Sequence, residues 1–129
     1  MPIRIVQLGS PRYRDEGIRF GTVRRPPRGV KKSDYSKQNF YDVWLPNLSP
    51  SAELLQKTRS GKLGSGRNSF DQLFRAELKQ PDKSHLLDAM AALSHVTNFS
   101  IGCYCKDEAR CHRSILRAEL QKRGALIKE

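Results

Sequence analysis

The order of patterns over residues 84–123 constrains the fold more than any other stretch of the chain. Ser84 is expected to cap a helix whose inward stripe is Leu86, Leu87, Met90 and Leu93. Phe99, Ile101, Cys103 and Cys105 then fall on one face of an extended segment, with Ser100, Gly102 and Tyr104 on the other. From about Cys111 or His112 to Arg123 the helical period returns, with Ile115, Leu116 and Leu120 inward and Arg113 one turn from Arg117. Gly124 is the expected C-cap. Helix, strand and helix in that order favour a small α/β domain, a mostly parallel sheet flanked by helices.

The rest of the chain fits the same plan. Residues 2–8 alternate as a first strand, broken by Gly9-Ser10-Pro11, and residues 18–24 form a weaker second extended candidate. Asp42-Val43-Trp44-Leu45 is short and apolar, stopped by Pro46, and Trp44 is expected in the core. Ser49 is placed to cap a helix with Pro50 at its first position and Glu53 in its first turn. A Gly-punctuated polar loop follows from Thr58 to Asn68. Asn68 or Ser69 then caps a helix carrying Phe70, Leu73, Phe74 and Leu78, which Pro81 ends. Ala125-Leu126-Ile127 adds a short closing strand. No internal repeat interrupts this, so residues 1–129 read as one domain.

Charge and cysteine usage narrow the function classes. No run approaches the roughly 18–20 apolar residues that span a bilayer, and the N-terminus lacks the apolar core of a signal peptide. No membrane partner is expected. All three cysteines lie within nine positions, unlike a disulfide framework. The expected compartment is the cytoplasm. The formal charge of +11 favours association with polyanions such as nucleotides or nucleic acid. Residues 24–37 concentrate that charge in Arg24, Arg25, Arg28, Lys31, Lys32 and Lys37, with Tyr35, Phe40 and Tyr41 close by to stack a base.

The cysteines share residues 103–113 with His112, Arg110 and Arg113, where a strand feeds a helix. Three chemistries suit that set. A helix N-terminus with Arg110 and Arg113 makes an anion pocket for phosphate or carboxylate, and Gly102 would let a ligand or a neighbouring backbone approach the strand closely. Cys111 or Cys105, beside His112 and Arg113, could be a stabilised thiolate and hence a nucleophile, with His112 as acid or base. This loop lacks the cysteine-to-arginine spacing of a phosphatase loop. Alternatively Cys103, Cys105, Cys111 and His112 are four soft ligands for a metal, although their spacing differs from paired zinc knuckles. Gly61-Lys62-Leu63-Gly64-Ser65-Gly66 is no phosphate-binding P-loop, since no Lys-Ser or Lys-Thr closes it. His85 and His95 read as helix-surface or helix-end residues.

Several blocks of this chain resemble the domain-of-unknown-function 488 family, which includes the YeaO-like proteins. Pro27-Arg28-Gly29-Val30 is similar to its Trp-Pro-Arg-Gly turn, with Pro26 where the tryptophan would stand. Asp42-Val43-Trp44-Leu45-Pro46-Asn47-Leu48-Ser49-Pro50-Ser51 resembles its Asp-Leu-Trp-Leu followed by Ala-Pro-Ser. Cys111-His112-Arg113-Ser114 resembles its Cys-His-Arg block, and Phe70 through Leu78 a family helix ending in Glu-Leu. The resemblance implies a small α/β fold and names no activity. Together these residues point to a pocket joining the 103–113 loop to Arg28 and Asp42. Arg28, Arg110 and Arg113 would clamp a phosphate-bearing small molecule or nucleic acid, Cys111 and His112 would be the catalytic candidates, and no cofactor is specified. The alternative is a metal-binding or redox-sensing module built on Cys103, Cys105, Cys111 and His112.

Overall fold

A computed structural model describes residues 2–108 and 111–128 of the chain. Four parallel strands make one sheet: β1 (Ile3–Gln7), β2 (Ile18–Gly21), β3 (Val43–Trp44) and β4 (Phe99–Cys103), in the order β1-β4-β2-β3. Among the described residues four α-helices complete it: α1 (Ala52–Arg59), α2 (Phe70–Leu78), α3 (Pro81–Leu93) and α4 (His112–Lys122). The last strand in sequence therefore lies in the middle of the sheet, with Ile101 level with both Ile5 and Phe20. This is the small α/β domain that the pattern around residues 84–123 implies.

All five residues of β4 are buried, so both faces of the strand are covered. Phe99 and Ile101 join Ile3 and the apolar stripes of all four helices in one core that includes Leu54, Phe74, Leu87 and Leu116. The opposite face carries a buried ion pair instead. Arg19 Nε and Nη2 donate to Glu16 at 2.6 and 2.9 Å, Ser100 Oγ donates to the same carboxylate at 2.6 Å, and Arg19 Nη1 holds the carbonyls of Ser10 and Asn39. Irregular chain covers that face because a buried arginine consumes loop carbonyls as hydrogen-bond acceptors. Ile127 forms a single parallel bridge to Ile3, which is all that remains of the expected closing strand.

Several element boundaries differ from the sequence expectation, each for a local reason. The cap of α1 is Ser51, not Ser49. Its Oγ accepts from Leu54 N at 3.1 Å, and Glu77 of α2 holds its backbone N–H and hydroxyl at 2.9 and 2.5 Å. Pro81 begins α3 rather than ending α2, with Ser84 already inside the helix. Proline suits a first helical position because the N–H it lacks would have no partner there. Trp44 is not core: β3 is a two-residue edge strand, and the indole stays 42% exposed while its N–H donates to Val23 O at 2.7 Å. None of the described helices is long and apolar enough to cross a membrane.

Candidate functional site

Parallel strands direct their carboxyl ends to one side, and in α/β sheets the crevice there is where ligands bind. Here that side holds Cys103 at the end of β4 and the loop that enters α4 at Cys111. Gly102 is required just before it. A Cβ there would stand 2.7 Å from Leu8 Cδ2 and 2.9 Å from both Val6 Cγ2 and Val6 O, so of the two approaches expected from the sequence it is the neighbouring backbone, β1, that needs this glycine. Gly102 O accepts from Thr22 N at 2.9 Å and Thr22 Oγ1 at 3.0 Å, which fixes the chain leaving β2.

Thr22 in turn sets the imidazole. His112 Nε2 lies 2.7 Å from Thr22 O, and a carbonyl can only accept, so Nε2 carries the proton. Nδ1 is left facing Cys111 Sγ at 3.6 Å. Phe74 packs edge-on against the ring and holds its plane. Cys103 Sγ, Cys111 Sγ and a His112 ring nitrogen all lie within 4.8 Å of one another. Cys105 is exposed, lies beyond the end of β4 and is not part of that convergent set among the described residues.

The two buried thiols are electrostatically unlike. The Cys103 S–H hydrogen bond, foremost, holds the Cys111 thiol far below its ordinary value; burial opposes this, and the backbone N–H of Arg113, together with His112 when its ring is an imidazolium with Nδ1–H facing the sulfur, reinforces it. Cys103 is pushed up by the same pairing and by burial. Burial, first, and the neighbouring Cys111 raise Cys105. Cys111 is the N-cap residue of α4 and its side chain makes no capping hydrogen bond, so the lowered thiol stands at the positive end of the helix dipole.

Above the cluster opens a cavity of about 770 Å³. Cys103, Tyr104, Cys105 and His112 line its floor; Val23, Pro50, Ala52 and Leu55 give it an apolar wall. Among the described residues, three arginines, Arg24, Arg25 and Arg59, line it, and no carboxylate does. Arg24 is tied to the carbonyls of Pro46, Ser49 and Pro50 at 3.1–3.2 Å. Arg25 and Arg59 are exposed and have no side-chain hydrogen bond or ion pair among the described residues. Tyr104 OH donates to Arg25 O at 2.9 Å and closes that wall.

The other residues singled out by sequence lie elsewhere. Arg28 is exposed, next to Gly29 with its φ of +73°, and does not line this cavity. Asp42 is fully engaged away from it: both oxygens bind the Arg12 guanidinium at 2.8 and 2.9 Å, and Ser36 Oγ and Arg19 N donate to it. Burial works to raise its carboxyl, but these donors outweigh that and leave it lowered. Neither Arg28 nor Asp42 is thus among the residues that line the cavity at the 103–113 loop. Arg113 is buried, and its Nη2 donates to Cys105 O at 2.6 Å, so it braces the loop behind the site instead of lining the cavity. Arg110 lies outside the described residues. Sequence reasoning missed Arg59, whose only signal is its place at the basic end of α1, and Thr22 O, a backbone group with no side-chain signal at all.

A family model described as the active DUF488-N3 subclade, DUF488-N3a, matches residues 3–124. No curated protein and no solved structure matches the chain.

Proposed function

The chain belongs to the DUF488 family, and from that premise we propose that its cavity binds a phosphate-bearing ligand, a nucleotide or a nucleic-acid end, over a Cys/His reaction centre. One observation carries the reading: among the described residues, the cavity that opens on Cys103 and His112 is lined by three arginines and by no carboxylate. Two of those arginines have no protein partner to neutralise them among the described residues. Guanidinium groups suit phosphate because they offer paired donors in a plane. The apolar wall of Val23, Pro50, Ala52 and Leu55 suits the uncharged part of such a ligand, and the volume falls in the ordinary range for small-molecule sites. The family description calls the matching subclade active, which supports chemistry at the thiol and imidazole groups on the floor.

Each solvent-accessible arginine–phosphate contact contributes about 1 kcal/mol, so losing two weakens binding roughly thirtyfold. Calorimetric titration with pyrophosphate, AMP and a short single-stranded oligonucleotide tests this on the wild type and on an Arg25→Ala, Arg59→Ala double variant. Binding of at least one probe, weakened in the variant, is expected. No binding by any probe, or equal affinity in the variant, refutes the reading.

A further inference from the structure

We infer that Cys103, Cys111 and His112 form a three-ligand zinc site whose fourth position faces the cavity. The donors are already gathered: two sulfurs and a ring nitrogen lie within 4.8 Å of one another, on elements that the sheet and α4 hold in place. On a tetrahedral ion with ordinary Zn–S and Zn–N bonds, the sulfur-to-nitrogen edge is about 3.6 Å. Cys111 Sγ and His112 Nδ1 are 3.6 Å apart.

The histidine is also oriented as a metal ligand is. Its Nε2–H is held by Thr22 O at 2.7 Å, which leaves the Nδ1 lone pair directed at the thiol cluster. Donation of the second ring N–H to a backbone carbonyl fixes the tautomer and ring plane of metal-bound histidines. Thiolate and imidazole donors in a tetrahedral arrangement select zinc among the common divalent ions.

Three protein ligands with an open fourth position characterise catalytic rather than structural zinc. Cys105 neighbours the other two thiols but is outside the set in which every donor lies within 4.8 Å of every other, so three ligands are assigned. Cys103 and His112 line the cavity, whereas Cys111 does not, which puts the ion at the cavity floor with Cys111 behind it. A water, or an oxygen of the phosphate-bearing ligand, would take that position. Only this last assignment rests on the proposed function; the metal site itself does not.

The test is metal analysis of protein purified without an affinity tag, together with Co2+ titration of the reduced, metal-free chain. Wild type and Cys105→Ser should each carry about one zinc per chain, and Cys111→Ser and His112→Ala should retain roughly a tenth or less. Wild-type protein with Co2+ should show the intense visible bands of a tetrahedral site and near-ultraviolet sulfur-to-metal charge transfer. This readout needs no variant of a buried cysteine to fold. Zinc below roughly a tenth of an equivalent together with no cobalt bands overturns the inference. Loss of zinc in Cys105→Ser overturns the three-ligand assignment. Pyrophosphate or AMP binding to a chain without a metal site would sink the zinc inference alone, while zinc without binding of either probe would sink the phosphate reading alone.

Discussion

Replacing Gly102 with alanine separates packing from ligand contact at the end of β4. The added Cβ would meet Val6 O at 2.9 Å, where ordinary contact begins at 3.4 Å, so β1 and β4 must part by about half an ångström. Leu8 Cδ2, at 2.7 Å, can rotate away, but Val6 O is backbone held in register with Gly102. Overpacking of this kind costs about 1–3 kcal/mol. For a chain of this length that lowers Tm by roughly 3–15 °C, which differential scanning calorimetry resolves. The strain also travels to the site, because Gly102 O holds Thr22 and Thr22 O holds His112. Both the Tm and the zinc content should therefore fall in Gly102→Ala. An unchanged Tm with weakened pyrophosphate binding would refute the packing account and restore a ligand-contact role for this glycine.

Other perturbations address the remaining contacts. Glu16→Gln leaves Arg19 buried without its counter-charge, at a cost of about 3–5 kcal/mol, so thermal unfolding should move down by more than roughly 10 °C; a shift within a degree or two would contradict this. Burial alone would raise the Glu16 carboxyl above 4.5, but hydrogen bonds from Arg19 and Ser100 leave it lowered. A carboxylate lowered by folding stabilises the protein above its unfolded value and loses that contribution as pH falls through the folded one. Urea midpoints should accordingly be level above about pH 6 and drop below pH 4.5, less steeply in Glu16→Gln. Asp42→Asn should cost about 1–2 kcal/mol through Arg12 and Ser36 and leave pyrophosphate affinity unchanged, whereas lost affinity would return Asp42 to the site. Chelation of the as-purified protein should lower Tm and speed iodoacetamide labelling of Cys111, as mass spectrometry would show; labelling rates indifferent to chelator would argue against a resident metal.

The parts of this fold legible in the sequence are those with a strong local period. β1, β4 and α4 come directly from alternation and helical spacing, and Ser69 and Gly124 act as the caps they resemble. The start of α3 was hidden because proline ends one helix and begins another with equal ease, and only tertiary contact decides. Trp44 misled because an apolar ring on an edge strand can lie flat against its neighbour and keep one face wet. At the site, the Cys111-His112 pair was legible because its partners are adjacent in sequence. Arg28 and Asp42 stand in the blocks that resemble the family, and short blocks do not say which of their side chains share a pocket. Whether a charged group meets a cavity or another side chain is fixed by packing, and Asp42 meets Arg12 while Arg59 reaches the cavity from the far end of α1.

Crystals soaked in tungstate, a phosphate mimic with strong anomalous scattering, give the most direct view of the proposed ligand site. The account predicts an anomalous peak in the cavity between the Arg25 and Arg59 guanidinium groups, above Cys103 and His112. A peak beside Arg28, or at the buried Arg113, with none in this cavity would contradict it.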